Sequence, residues 1–382
     1  MKPGPAAHTA HVAWLDSVRG LAALTVIGSH YVNSYDLPCR SETCNRLLSN
    51  TPLHLWWDGA AAVSLFFVLS GLVLSLRHFR HGATPDLSPF KLGDYVVGRI
   101  CRIWLPYLAV LGLSALLYPH YQAISASLPV TIPKQNAWLP YMWGRPAGWL
   151  DFGKDSILLS MRMDMVYLPQ AWTLSIELAL SLLIPAGIMV AARSSWWLVF
   201  FTLFAIYPLG MSPFLFHFML GILLAKHHER LGPWLRRHAL ARRGGGLLGL
   251  LLYSCGETLG DVVAPSLIGW LTALGAGLLL LAAFGSAKTQ RVLSLAGFRQ
   301  VGKVSYSIYL IHFAVLINAT PGLLDLLHAT PGGFVFAWWA GLAANIVLSV
   351  ALATVSYRLL EVPSMALGRR LGRGAGVALA NH

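Results

Sequence analysis

The chain has 382 residues, of which 56% are hydrophobic and only 11% are charged, and its formal net charge is +13. Soluble domains carry about a quarter of their residues as charged side chains. This composition, with a mean hydropathy of +0.61, therefore excludes an ordinary soluble protein. Basic residues commonly fix membrane orientation, so we attribute the positive charge to that role and expect no nucleic-acid partner.

Apolar runs of about 20 residues, the length that crosses about 30 Å of hydrocarbon as a helix, recur along the sequence. They predict an all-α fold, a polytopic transmembrane helix bundle of about ten spans: 14–36, 54–77, 99–119, 170–192, 196–209, 211–225, 246–260, 266–285, 304–320 and 334–358. We expect one transmembrane domain, residues 1–368, and a basic C-terminal tail, residues 369–382. The first run has no small-residue cleavage site, so we expect no cleaved signal.

The positions of Lys and Arg predict that both termini are cytoplasmic. With the amino terminus inside, most of the 28 basic residues lie in inner segments. An excess of Lys and Arg marks the cytoplasmic side, so we expect a multi-pass protein of the cell inner (cytoplasmic) membrane. The outer loops then hold only Arg40, Arg46, Lys134, Arg145, Lys154 and Arg162.

Two ionisable residues, Arg19 and His30, lie inside the first predicted span, where polar side chains are costly and are functional candidates. Their spacing returns a helix to within about 20° of the same face, about 16 Å further along the axis. One helix stripe would therefore join the inner side to the outer half of the membrane. Asp16 is placed to pair with Arg19. A snorkelling Arg and a hydrogen-bonded core His would give the same pattern.

Further buried polar residues occur in later spans. Glu177 lies about two turns below the outer end of the fourth span, at the predicted depth of His30, where a carboxylate would orient the imidazole and stabilise its charged form. His312 lies near the middle of the ninth span, after Tyr306 and Tyr309. Each of them alone is equally compatible with a satisfied interior polar group.

At the inner end of the third span, Arg99 and Arg102 are three residues apart and are predicted to share one helix face. Two guanidinium groups there could clamp the phosphates of a ligand from the inner side. The alternative is that they anchor the span in its orientation. Glu361, just past the last span, could form a structural salt bridge with either one.

Two outer loops carry further signals. The long segment 120–169 is rich in aromatic and acidic residues, which favours a functional loop, although an interfacial aromatic belt would look similar. Cys39 and Cys44 share one short loop and could form a disulfide if that loop is extracytoplasmic. Cys101 and Cys255 are expected in the core. The four cysteines form no metal pattern, and we expect no metal.

Several motifs resemble the acyltransferase-3 family of membrane O-acyltransferases, and they follow the family's order along nearly the whole chain. The matching segments are 15–24 (LDSVRGLAAL) with His30, 66–71 (FFVLSG), 99–106 (RICRIWLP), 172–177 (WTLSIE) with Pro185, 305–312 (SYSIYLIH) and 357–363 (YRLLEVP). The chain departs from the family at residues 178–181, where aromatic residues often follow the Glu. This departure concerns acceptor specificity more than the chemistry.

The resemblance implies transfer of an acyl group, usually acetyl, from cytoplasmic acetyl-CoA or another acyl-CoA to a hydroxyl of a cell-surface or exported glycan or a lipid-linked oligosaccharide. The acyl-CoA is a substrate, and no tightly bound cofactor is expected. Membrane lipids surround the domain. The family pattern maps onto Arg19, His30 and Glu177, to which we assign catalysis. We assign donor binding to Arg99, Arg102 and Arg19. We assign substrate binding to His312, Tyr306, Trp172 and Asp58.

Two mechanisms remain open at this point. His30 either takes the proton from the acceptor hydroxyl or carries the acyl group briefly, and both roles need a neutral imidazole. The alternative function is that of a transporter or flippase of a lipid-linked sugar or acyl intermediate. Consumption of a thioester would separate an enzyme from a transporter.

Overall fold

The computed structural model describes residues 5–35, 37–39, 41–79, 92–127, 145–157, 164–260, 262–328 and 333–380. Throughout these ranges the regular secondary structure is helical, and no β-strand forms, which confirms the all-α prediction. The α-helices are α1 (Pro5–Ser34), α2 (Glu42–Asn50), α3 (Gly59–Leu76), α4 (Leu92–Ser127), α5 (Trp149–Ser156), α6 (Trp172–Arg193), α7 (Ser195–Ile206), α8 (Phe214–Arg237), α9 (Ala239–Tyr253), α10 (Cys255–Leu259), α11 (Pro265–Phe284), α12 (Ala287–Leu293), α13 (Ala296–Lys303), α14 (Ser305–Asn318), α15 (Thr320–His328), α16 (Gly333–Ser356) and α17 (Val362–Ala380). A π-helical turn, Tyr357–Glu361, separates α16 from α17.

Each predicted apolar run is helical, but the count of ten spans is not confirmed. By length and composition, five helical stretches of the described chain can cross a membrane, or up to six if α13 and α14, bent by 72°, form one span. Helix α1 contains charged residues, and α7, α9 and α10 are shorter than a full span. The five stretches are Gly59–Phe79, Leu92–Tyr121, Pro169–Arg193, Leu267–Phe284 and Gly333–Gly372. Helix α17 continues past residue 368, where we predicted the start of the tail.

The chain divides into two compact units, which we call the first and second units. The first unit comprises Met1–Ala22, Ala60–Leu92 and Ile176–Lys303. In it, α11 packs against both α8 and α9. The α9–α11 contact is close at Gly275, because a Cβ atom there would collide with the backbone of Tyr253. Only a residue without a side chain lets the two helices approach in this way.

The second unit comprises Ala23–Gly59, Gly93–Ser175 and Val304–His382. Its helices α14 and α15 both pack against α16. The carboxyl end of α1 is tied to them by Tyr31 Oη, which donates to Trp338 O at 2.9 Å, and by Tyr35 Oη, which donates to Leu316 O at 3.1 Å. The Trp338 indole N–H returns a bond to Tyr35 O at 3.0 Å. These three bonds hold the last turns of α1 beside α14 and α16.

The described residues 145–157 of the predicted outer segment lie along α4. Tyr118 Oη donates to Arg145 O, Tyr107 Oη donates to Asp155 O at 2.6 Å, and Trp104 Nε1 donates to Ser156 O at 2.7 Å. Tyr118 and Trp104 are about 21 Å apart along an ideal helix axis. The segment that carries α5 therefore runs antiparallel to α4 and packs against its apolar stretch, Leu92–Tyr121.

The acidic and aromatic residues of this segment have mixed environments. The buried Asp155 carboxylate accepts the backbone N–H groups of Val166 and Tyr167, both at 3.0 Å. Burial raises the pKa of this carboxyl, against the lowering effect of the two N–H groups. Asp151 pairs with Arg145 at 3.2 Å. Both carboxylates therefore hold the segment itself together. Trp138, Tyr141 and Trp143 lie outside the described residues.

The structure pairs two of the four cysteines and places the other two in the core, where they were expected. Cys39 and Cys44 are joined by a disulfide just before and within α2. Cys101 and Cys255 are free thiols, and both are buried.

Candidate active site

Two histidines from opposite ends of the sequence meet in the second unit. His30, in the last turns of α1, and His312, in the middle of α14, approach with 2.9 Å between His30 Nδ1 and His312 Nε2. The rings stack with centroids 5.0 Å apart and an interplanar angle of 29°. His312 is only 1% exposed, whereas His30 is half-buried. This arrangement leaves the His30 ring as the more accessible member of the pair.

The surroundings of the pair fix the two rings. His312 Nδ1 lies 3.1 Å from Ile308 O, one turn earlier in α14. The Phe313 ring meets His30 edge-on at 5.7 Å, and the Tyr309 ring lies 5.8 Å from His312. A ring held by one hydrogen bond and by packing on its faces keeps a single orientation.

The start of α6 is bonded to the turn of α14 that precedes His312. Tyr309 Oη donates to Gln170 O at 2.7 Å and lies 2.5 Å from Thr173 Oγ1. Gln170 Nε2 donates to Leu310 O at 3.2 Å. Trp172, a predicted substrate-binding residue, is the first residue of α6 and is half-buried. This network fixes α14 against the segment that leads into α6.

A second polar cluster lies nearer the amino end of α14. Tyr306 Oη donates to Ile103 O at 2.5 Å, and Ser307 Oγ donates to Glu361 Oε2 at 3.0 Å. Glu361 is 2% exposed and ends the π-helical turn Tyr357–Glu361. Single π-helical turns are frequent at functional sites. Tyr306, predicted to bind substrate, therefore contacts the α4 backbone in this structure.

The two arginines of α4 differ in environment. Arg99 is 8% exposed, whereas Arg102 is exposed. Arg102 is therefore the more accessible member of the pair, and the prediction that both bind a ligand stays a prediction. Residues three apart on a helix still differ by about 60° around the axis, enough to turn one inward and the other outward.

The remaining predicted residues have other partners and environments. In the first unit, Arg19 Nη1 pairs with Asp16 Oδ1 at 3.2 Å, which confirms that predicted ion pair. Also in the first unit, Ser70 Oγ donates to Glu177 Oε1 at 3.3 Å. Asp58, in the second unit, is buried and follows the short helix Pro52–Trp56 in the chain, just before α3 begins.

The family of the protein follows from comparison with known sequences. Residues 12–358 match the model of an acyltransferase domain, Acyl_transf_3. The chain belongs to the acyltransferase-3 family. The resemblance seen in the motifs is thereby confirmed, and the protein is an acyltransferase. Its apolar helices and its family together make it a multi-pass membrane protein.

One relative of this acyltransferase is the exopolysaccharide production protein ExoZ of Rhizobium meliloti (strain 1021). The two sequences are 27% identical over 346 residues, which cover 85% of this chain and 95% of ExoZ. No solved structure matches the chain significantly.

Sequence reasoning named both histidines of the acyltransferase but not their contact. It assigned the orientation of His30 to Glu177 and placed His312 among the substrate-binding residues. The two rings are 282 residues apart in sequence, and no spacing rule links them. Gln170 and Thr173 were missed as well. The sequence feature that could have indicated them is their closeness to Trp172, the first residue of a motif that matches the family.

Proposed function

We propose that this acyltransferase moves an acyl group, in the first instance acetyl, from cytoplasmic acyl-CoA to a hydroxyl of an exported or cell-surface glycan. The observation that carries the proposal is the His30–His312 pair, 2.9 Å apart, in a chain of the acyltransferase-3 family. An imidazole in contact with a second imidazole has the chemistry required to take a proton from a hydroxyl. ExoZ, whose name places it in exopolysaccharide production, supports a glycan acceptor.

The reaction needs one proton transfer and one acyl transfer. His30 accepts the proton of the acceptor hydroxyl, the oxygen attacks the thioester carbonyl, and the carbon–sulfur bond breaks. The leaving thiolate takes the proton back, so that the products are the ester and free CoA. A covalent acyl-His30 intermediate would give the same products by two steps.

On the donor side, Arg99 and Arg102 are proposed to bind the phosphates of acyl-CoA. Guanidinium groups form charge-assisted hydrogen bonds with phosphate. The exposure of Arg102 suits it to first contact with a ligand from the inner side. Arg19, held by Asp16, is proposed to line the path of the acyl arm.

On the acceptor side, Trp172, Tyr306 and Asp58 remain proposed substrate contacts. An aromatic face suits the apolar C–H groups of a sugar ring, and a carboxylate accepts hydrogen bonds from hydroxyls. Glu177, which accepts from Ser70, remains a proposed catalytic carboxylate.

We propose further that the protein lies in the inner membrane with about ten spans and both termini in the cytoplasm. The excess of Lys and Arg in the predicted inner segments supports this topology. Reporter fusions at residue 382 should be active only as cytoplasmic reporters. Activity of a periplasmic reporter at that position would remove the sidedness on which the donor path depends.

Deletion of the gene tests the function in the cell. We expect the surface polysaccharide of the deletion strain to lose an acetyl ester while its sugar backbone is still exported. Loss of export with an unchanged ester content per sugar would instead indicate a transporter or flippase.

A further inference from the structure

The hydrogen-bond partners of the histidine pair determine which nitrogen carries each proton. His312 Nδ1 lies 3.1 Å from the carbonyl oxygen of Ile308. A carbonyl oxygen only accepts hydrogen bonds, so His312 Nδ1 must be the protonated nitrogen. In a neutral imidazole the other nitrogen then has a lone pair. His312 Nε2 is therefore an acceptor.

The protonation of His312 determines which nitrogen of His30 carries its proton. The 2.9 Å contact joins His30 Nδ1 to His312 Nε2, and one proton lies between these atoms. Since His312 Nε2 accepts, His30 Nδ1 is the donor. The reverse direction would require protons on both nitrogens of His312, a charged ring at a site that is 1% exposed. For two neutral rings, the proton order from Ile308 O back to His30 is thus unique.

We propose that His312 is a positioning residue that holds neutral His30 in the Nδ1–H tautomer, so that His30 Nε2 is the nitrogen that accepts the proton of the acceptor hydroxyl. This inference rests on the proposed acyl transfer. It assigns to His312 the orienting role that the sequence suggested for Glu177. When Nε2 takes the proton, the hydrogen bond to His312 Nε2 stabilises the charged ring, and the proton returns to the departing thiolate at the end of the cycle.

Three substitutions at His312 separate positioning from mere space-filling. The Gln amide reaches about the place of the imidazole Nε2, whereas the Asn amide reaches about the place of Nδ1. His312→Gln therefore keeps an acceptor for His30, and we expect its kcat to stay within about 10-fold of wild type. His312→Asn and His312→Leu lose that acceptor, and we expect kcat to fall by about 10²-fold or more, since a wrong tautomer of a catalytic His costs up to about 10⁴-fold.

The KM for acyl-CoA should change by no more than about 3-fold in all three variants, because His312 acts through His30 and not on the donor. Equal kcat values for His312→Gln and His312→Asn would overturn the proposal, as would a wild-type kcat in His312→Leu. If His312→Leu does not fold, the Gln and Asn pair decides. A loss that appears only in KM would make His312 a substrate-binding residue and would equally overturn it.

A matched control is available at His217 in α8, another buried imidazole, which lies 3.3 Å from Ser64 Oγ. His217→Leu should leave kcat and KM within about 2-fold of wild type. The ¹⁵N chemical shifts of His30 give an independent readout: we expect the Nδ1–H tautomer in the wild type and a mixture in His312→Leu. The Nε2–H tautomer in the wild type would contradict the assignment.

Thioester consumption by the wild-type protein is measured first, with acetyl-CoA as the probe. If the wild type consumes none, the proposed function fails. If the wild type consumes thioester but the Gln, Asn and Leu variants of His312 have the same kcat, only the positioning role fails.

Discussion

Buried imidazoles of the two units differ in the side chain that they contact: His217 in the first unit contacts a hydroxyl, and His312 in the second unit contacts another imidazole. In the first unit, His217 is 2% exposed, contacts the Ser64 hydroxyl, and packs against the Phe214 ring at 5.0 Å. A hydroxyl can rotate to donate or to accept, so this side-chain contact does not by itself select one tautomer of His217. In the second unit, the proton order of the His30–His312 pair is set by a backbone carbonyl, which can only accept.

This difference shows that burial and a hydrogen bond do not by themselves make an imidazole a defined base. His217 has both features within a group of aromatic rings that includes Phe67 and Phe216. His30 has in addition a partner whose acceptor role is fixed, and its ring is the more accessible one. If acyl transfer depends on the His30–His312 pair, substitutions at the pair should lower its rate more than substitutions elsewhere.

The largest effect is expected at His30. His30→Ala removes the proposed base, and alanine is well tolerated within a helix, so expression should be normal. We expect the rate of acyl transfer to fall by about 10²–10⁴-fold. The measurement is the initial rate with purified protein. Residual activity above about a tenth of wild type would make His30 a structural residue.

The next effect is expected at the donor side. Arg102→Gln removes an exposed guanidinium, and we expect the KM for acyl-CoA to rise by about 10-fold or more with kcat within about 3-fold, since a hydrogen bond to a charged group contributes about 1.5–3 kcal/mol. Steady-state kinetics measure both constants. Arg237→Gln, at an exposed residue of α8, is the control for net charge. An unchanged KM with a collapsed kcat would contradict a phosphate-binding role.

At Gln170 the expected effect is smaller. Its amide donates to Leu310 O in the turn before His312, so Gln170→Leu loosens the support of α14 without touching either imidazole. We expect kcat to fall by about 10-fold, less than in His312→Leu. A loss as large as that of His312→Leu would show that the wider network, and not the pair, sets the rate.

The smallest effect on catalysis is expected at the disulfide. Cys39→Ser opens a short loop in the second unit and should lower stability by about 2 kcal/mol by the chain-entropy estimate, with kcat within about 2-fold. Thermal unfolding and thiol alkylation measure the two outcomes. In the wild type from cells, free Cys39 and Cys44 thiols would place this loop on the reducing side and contradict the predicted topology.

Local pattern predicted much of the fold. Apolar runs located the helices, and the spacing of Asp16 and Arg19 predicted their ion pair. The ends of the helices were harder to predict from the sequence. Helix α4 continues through Pro119 to Ser127, where the sequence indicated a stop near residue 119, because a helix in a packed segment can accommodate a proline. A Ser254 break also divides the predicted span 246–260 into α9 and α10.

The site was only partly predictable for a different reason. Family motifs named His30 and His312 separately, but the contact depends on how α1 is held beside α14 by Tyr31, Tyr35 and Trp338. Asp155 is one of the acidic residues of the segment 120–169, yet its carboxylate is occupied by two backbone N–H groups of that same segment. Such long-range pairings follow from packing and leave no periodic signal in the sequence.

The most direct test of the proposed function is the release of free CoA thiol from acetyl-CoA by the purified protein in the presence of glycan acceptor, compared between wild type and His30→Ala. We predict thiol release by the wild type, matched by formation of acetyl ester on the acceptor, and a rate at least about 10²-fold lower in His30→Ala. No thiol release by the wild type, or equal release by both proteins, would contradict an acyl transfer that depends on His30.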